Sequence, residues 1–236
     1  MKLQFNDERV LAVVAHPDDA ELLCAGTLAR ARADGAAIGV CVLCRGDKGQ
    51  PARPVRNLSA MRRREMRAAA HLLGSELIAV GFDDGELMDG RAERRRLLAV
   101  LRAFRPTLVL AHSPDDYHAD HRAAAALVDA VSWSSASGGY KTPEPALATP
   151  PAVWWMDTIE MNQFTPGFFV DITAFVGLKE QMLSCHRSQL ARGRDGNFSP
   201  LMDMMRRQCQ ARGAQAGVAA AEAFRVHAAF KRTRAW

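Results

Sequence analysis

Apolar positions along the chain follow two alternating periods. Residues 9–15 form a short β-branched run, and the stretch 20–34 that follows has helical periodicity up to Gly35. The order then repeats: a strand over 36–43, a helix from Ser59, read as its cap, to Leu73 with Gly74 as its stop, and a strand over 77–81. A helix over 92–104, a strand over 107–111 and a helix over 118–133 continue it. Such alternation predicts an α/β fold, a Rossmann-like, mostly parallel sheet with helices on both faces. The second half is less regular, with strands expected over 152–156 and 168–172 and helices over 179–185 and 200–212. No second core separates, so a single domain is expected over 1–236. Two Gly/Pro-rich stretches, 45–58 and 134–151, read as loops, and long loops inside a compact domain are usually functional or mobile.

Composition narrows the class. Hydrophobic residues make up 48% of the 236 and charged residues 24%, which excludes a wholly disordered chain. The apolar runs are too short to cross a bilayer, and the start MKLQFNDERV lacks the apolar stretch of a signal peptide, so the expected location is cytoplasmic. Thirty-one Lys+Arg against 26 Asp+Glu leave +5, too weak a balance to imply nucleic acid. The charge divides unevenly, with acids beside histidines and much of the basic excess on helix faces and in the tail 231–234. Five scattered cysteines make no disulfide framework. Cys41 and Cys44 have CxxC spacing inside a strand, where residues three apart point to opposite faces, so core packing is expected of both.

Three of the seven histidines fall within residues 112–121, too dense for an even spread, together with Asp115, Asp116 and Asp120. His118-Ala-Asp120-His121 follows the strand 107–111 and opens a helix; His16-Pro-Asp18-Asp19-Ala-Glu21 follows the first strand and also opens one. Ligands of open parallel sheets bind at the carboxyl ends of the strands, where both clusters sit. Two imidazoles and a carboxylate with open positions for water make a catalytic zinc site, whereas a closed structural site uses four protein ligands. His16 and Asp19, three apart at a helix start, can converge on one ion and leave Asp18 available as a base. His118 and His121 are ~60° apart around a helix, so one can ligate while the other faces the substrate. Each cluster alone has a plain reading as a helix cap or core histidine. Both at equivalent sheet-edge positions do not.

The motifs Val14-Ala-His-Pro-Asp-Asp-Ala-Glu21 and Tyr117-His-Ala-Asp-His121 resemble those of the LmbE-like, or PIG-L, family of zinc-dependent N-deacetylases. Weaker family positions follow in order along most of the chain, among them Arg45-Gly-Asp-Lys-Gly49, Arg62-x-x-Glu65, Asp84-Gly-Glu-Leu87, Lys179, Ser188-Gln189 and Ala221-Glu-Ala-Phe224. The resemblance implies His16, Asp19 and His121 as ligands of Zn2+ or another divalent transition metal. It implies Asp18 as general base, His118 as the group that polarises the carbonyl and helps the leaving amine, and Asp120 as the group that orients a neighbouring histidine. The implied reaction removes the N-acetyl group from an N-acetylglucosamine-type aminosugar conjugate: a small-molecule thiol precursor, a chitobiose-like sugar or an antibiotic aminosugar. Two positions depart from the pattern: Ala220 stands where relatives often carry Tyr, and Asp116 where some place a substrate-facing Tyr.

The implied partner is therefore a small N-acetylated aminosugar, with neither nucleic acid nor membrane, and a homo-oligomer is compatible with the family. The alternatives are an amidase that cleaves a larger acyl group, or a non-catalytic sugar- or nucleic-acid-binding relative; a dinucleotide enzyme is disfavoured because no GxGxxG follows the first strand. On the helix 59–73, Met61, Ala68, Ala69 and Leu72 define the apolar stripe, with Arg62 and Glu65 on or beside it. Arg62 then has two readings, a substrate-binding fork or a structural pair with Glu65. Arg63, Arg64, Arg67 and Arg94–Arg96 read as solvated faces. His112 reads as a group behind the site, and His186 as lining a pocket or an inter-subunit contact. His71 and His227 read as ordinary surface or core residues. For Trp133, Trp154 and Trp155 core packing outweighs a sugar platform.

Overall fold

The computed structural model describes residues 4–194 and 200–228, so the basic tail 231–234 lies outside the described residues. Strands β1 (Arg9–Val14), β2 (Ala37–Cys44), β3 (Glu76–Phe82), β4 (Leu108–Ala111), β5 (Ala152–Met156), β6 (Phe168–Asp171) and β7 (Ala221–Val226) form one sheet. Its order is β3-β2-β1-β4-β5-β7-β6. The first five strands run parallel, and β7 pairs antiparallel with both β5 and β6. The helices are α1 (Asp19–Leu23), α2 (Ala25–Ala33), α3 (Leu58–Leu73), α4 (Arg91–Phe104), α5 (Ala119–Ser134), α6 (Val176–Ser184), α7 (Arg187–Leu190) and α8 (Leu201–Ala216).

Period two sorts the central strands into two cores. Val10, Ala12 and Val14 of β1 pack with α1, α2, α3, α6 and α8, while Leu11 and Val13 pack with α4 and α5. A strand buried on both faces reads as a continuous apolar run, which is why 9–15 carries no polar alternation. The chain winds one way from β1 to β2 and the other way to β4, so the strand order reverses between β1 and β4. A crevice opens at their carboxyl ends.

The structure corrects several local expectations. The helix expected over 20–34 is two, broken at Cys24 (φ −147°). The break frees backbone N–H groups at the start of α2, and Gly26 and Thr27 donate theirs to the Glu222 carboxylate at 3.0 and 2.7 Å. Asn57, not Ser59, caps α3: its side chain accepts from Ala60 N at 3.3 Å. The buried stripe of α3 is Leu58, Arg62, Glu65, Met66, Ala69, Ala70 and Leu73, whereas Leu72 is exposed. Two polar side chains turned inward have rotated that helix away from its apparent apolar face. The register of β2 against β3 shifts between Val42 and Cys44, so Cys41 and Cys44 border the same core instead of opposite ones. Both remain buried free thiols, as the packing reading required. Trp154 and Trp155 are buried, but Trp133 is half exposed. No helix among the described residues is long and apolar enough to cross a membrane.

Candidate metal and catalytic centre

Loops after β1 and β4 deliver the two clusters to the crevice. His16 leaves β1, its backbone N–H donates to Asp19 Oδ2 at 2.7 Å, and its Nδ1 lies 3.4 Å from the same oxygen. From the β4 side, His121 Nε2 also approaches Asp19 Oδ2, to 3.4 Å. The rings of His16 and His121 are 5.3 Å apart, and those of His118 and His121 are 4.7 Å apart. His16, His118 and His121 each offer a nitrogen within 4.8 Å of the others. The two sequence clusters thus meet around one point.

The electrostatics of that point favour positive charge. Burial lowers the basicity of His16, but Asp120 and Asp19 outweigh it and push its pKa up to about 10. Burial opposes charge on His121 too, and Asp19 and Asp116 raise its pKa to about 9. Burial likewise disfavours charge on Asp19, yet His121 and the other imidazoles hold it well below the usual carboxylate range. Without a metal, this crevice concentrates protons on two imidazoles around one carboxylate. Two imidazoles and a carboxylate are the donor set a divalent transition metal takes, so the residues fit such an ion.

His112 is fully buried and stacks on His121 at 3.9 Å. Its Nε2 accepts Ala15 N–H at 3.0 Å, so that lone pair is already engaged, and burial followed by the His121 charge lowers its pKa to about 4. His112 therefore stands behind His121 as a neutral ring, in keeping with the sequence reading. Asp120 Oδ2 lies 2.9 Å from His16 Nε2 and accepts Gly85 N–H at 2.7 Å. From the start of α5, and tied to the loop after β3 through Gly85, it fixes His16.

Asp18 occupies a left-handed backbone conformation (φ 97°, ψ −21°), which costs a non-glycine residue about 1–3 kcal/mol. It stands at the N-cap of α1 but makes no capping bond, so the capping reading fails. Its carboxylate instead lies 3.0 Å from Arg62 Nη2, and Arg62 also donates to the Pro17 carbonyl. Burial pushes the Asp18 carboxyl up, with Arg62 opposing. A Cβ on Gly46 would come 2.6 Å from Arg62 Cδ, so only glycine (φ 72°) lets the loop after β2 close over this guanidinium. Of the two readings of Arg62, the pair with Glu65 is overturned: Glu65 accepts Ser188 N–H at 2.8 Å and Ser188 Oγ–H at 2.6 Å. The inward pull of Asp18 and Ser188 explains why both polar residues of α3 are buried.

His118 caps α5, with Nδ1 accepting Asp120 N–H at 3.2 Å, so the neutral ring carries its proton on Nε2. Burial, then His121 and His16, lower its pKa. Asp116, where a substrate-facing Tyr was expected in some relatives, is 1% exposed; it accepts His118 N–H at 2.9 Å and lies 3.1 Å from His121 Nδ1. The sequence reading passed over this role, although its place in the 112–121 cluster was the available signal. His186 corrects its reading: it is fully buried, 3.4 Å from Glu21, and reaches no surface. His71 is exposed, and His227 pairs with Asp129 at 2.8 Å.

A cavity of about 540 Å3 opens above the centre. His16, Asp18, Asp19, Arg62, His118, Asp120 and His121 all reach it, and Tyr117, Ile159, Leu201 and Met204 supply an apolar wall.

The chain is similar to known proteins in both sequence and fold. The PIG-L family, described as GlcNAc-PI de-N-acetylase, matches residues 11–132, which hold both clusters. Diacetylchitobiose deacetylase of Thermococcus kodakarensis is 30% identical over 193 residues, covering 78% of this chain and 72% of that protein. The 4-oxalmesaconate hydratase of Pseudomonas putida is 29% identical, covering 76% and 73%. A conserved protein of Thermus thermophilus superposes with a TM-score of 0.81 at 30% identity, covering 97% of this chain and all of that one. Family match and sequence identity agree: the chain belongs to the PIG-L family of de-N-acetylases.

Proposed function

We propose that the protein is a metal-dependent hydrolase that removes the acetyl group from an N-acetylglucosamine-type aminosugar conjugate, giving free amine and acetate. The observation that carries this reading is Asp18. It is a strained, non-capping carboxylate, held by Arg62 beside a two-histidine, one-aspartate donor set, at the floor of a cavity large enough for a sugar. His16, Asp19 and His121 would hold the ion, with zinc the expected metal. A divalent ion held there would supply a bound water of pKa ~7 and Lewis-acid polarisation of the acyl carbonyl.

The remaining steps belong to the chain. Asp18 accepts the proton of the attacking water, and burial favours its protonated form once it has done so. His118 presents Nε2–H to the carbonyl oxygen as negative charge develops there, a donor fixed in place by the Asp120 N–H on its other nitrogen. The proton then passes from this pair of residues to the departing amine. Asp120 keeps His16 aligned, and Arg62 both aims Asp18 and faces the cavity as a fork for substrate hydroxyl or anionic groups. The relative from Thermococcus, named for a diacetylated aminosugar, supports the substrate class.

The test is a panel of N-acetylated aminosugars and their longer-acyl counterparts, given to metal-analysed protein and read as released amine. Metal-dependent release from the acetyl compounds is expected. Release from longer-acyl compounds only would move the activity to the wider amidase class. Hydration of an unsaturated dicarboxylate, without amine release from any compound, would overturn the proposal.

A further inference from the structure

On the outer surface of the α4–α5 layer lies a second cavity of about 610 Å3, as large as the one over the metal centre. Its wall carries four cations, Arg91, Arg94, Arg95 and Lys141, against one carboxylate, Asp89. That carboxylate is already spent: Arg94 Nε and Nη2 hold its two oxygens at 2.6 and 2.5 Å. Arg91 and Arg95 are exposed and have no ion pair or hydrogen-bond partner for their guanidinium groups among the described residues. They stand one helical turn apart, an arrangement in which like charges repel. Nothing in the fold of α4 requires two unpaired arginines on one side of a concavity.

The opposite wall is built with unusual care for a surface loop. The Gly/Pro-rich stretch after α5 is the kind that drifts, yet Arg102, 3% exposed, pins it from below. Its guanidinium donates to the carbonyls of Ser135 (3.1 Å), Tyr140 (2.8 Å) and Ser137 (2.7 Å) and to Thr142 Oγ1 (2.8 Å). A buried guanidinium is tolerated only with such saturation, and here all but one bond, to the Ser134 carbonyl at the end of α5 (3.5 Å), go to this loop. The result is a fixed platform that presents the half-exposed ring of Tyr140 and the ammonium of Lys141 across from Arg91 and Arg95.

We infer that this α4–α5 cavity is a binding site for a small polyanion, a ligand with two or more phosphate or carboxylate groups. Arg91 and Arg95 are the forks that bind it, Lys141 is a third positive contact, and Tyr140 is the face against which its uncharged part rests. Concavity and volume favour a small molecule over a flat polyelectrolyte surface. Planar guanidinium forks bind phosphate and carboxylate bidentately, so the shared oxyanion chemistry defines the class. The site shares no residue with the metal centre and does not depend on the proposed deacetylation.

The experiment is calorimetric titration of the full chain at physiological salt with inorganic pyrophosphate and, separately, with citrate. One saturable site per chain is expected for at least one probe, and the better probe tells phosphate from polycarboxylate. The double variant Arg91→Ala/Arg95→Ala, whose exposed positions leave melting temperature and metal content unchanged, should weaken that binding by about tenfold or more. Absence of saturable binding of both probes would overturn the inference. So would undiminished binding in the double variant, which would place the anion elsewhere. A DNA duplex or anionic vesicle that binds through the same arginines while neither small probe does would also overturn it, by assigning the face to a macromolecule.

Discussion

The Arg62 guanidinium lies 3.0 Å from the Asp18 carboxylate, and both residues are buried, at 3% and 8% exposure. One arginine therefore neutralises the carboxylate proposed as the base and fixes its direction from α3. Removing only one partner strands the other. Arg62→Ala should cost about 3–5 kcal/mol in urea unfolding, less if Asp18 protonates. In a double-mutant cycle with Asp18→Asn, the two losses should fall short of additivity by about 0.5–3 kcal/mol. Strict additivity would mean that the pair is a coincidence of packing.

Glu222 makes a second such prediction, far from the cavity floor. Its carboxylate accepts Gly26 N–H, Thr27 N–H and the Lys179 ammonium inside the protein. Glu222→Gln keeps the shape but leaves the buried Lys179 uncompensated, and a loss of about 3–5 kcal/mol is expected. A change within about 0.5 kcal/mol would show that the tie between β7 and α2 bears no weight.

Metal uptake should release protons. His16 and His121, with pKa values of about 10 and about 9, are cationic at pH 7.5 before an ion binds. Their folded-state values are raised, so the protons are held until pH climbs through that range. A ligating imidazole must be neutral, so binding displaces about two protons at pH 7.5, and affinity falls as pH falls. Titrating zinc into apoprotein in buffers of different ionisation enthalpy counts those protons. A count of zero would contradict the ligand set.

How much of this was legible in the sequence depends on how local its cause is. The parallel βαβ half, Gly74 and the meeting of the two His/Asp clusters were readable because period, cap chemistry and spacing act within a few residues. Strand β7 escaped because Glu222 interrupts its apolar run, and that glutamate is inside only to meet α2 and Lys179, far away in sequence. The buried face of α3 was misjudged for a similar reason: Arg62 and Glu65 turn inward toward Asp18 and Ser188, partners that periodicity does not register. Asp116 was visible as a residue but not as a support for His118 and His121. The break at Cys24 and the shift near Cys44 had no local sign.

The central claim is that Asp18 is the base of a metal-dependent deacetylation, and one substitution tests it while keeping the shape of the side chain, at the cost in stability that an uncompensated Arg62 brings. Asparagine is, after glycine, among the residues most tolerant of the left-handed conformation at this position, so Asp18→Asn preserves the backbone while removing the proton acceptor. Wild type and Asp18→Asn should be compared side by side for bound metal and for amine released from an N-acetylated aminosugar. The account predicts equal metal content and a turnover lowered by ~10²–10⁴. Near-normal turnover by the metal-loaded variant would contradict it.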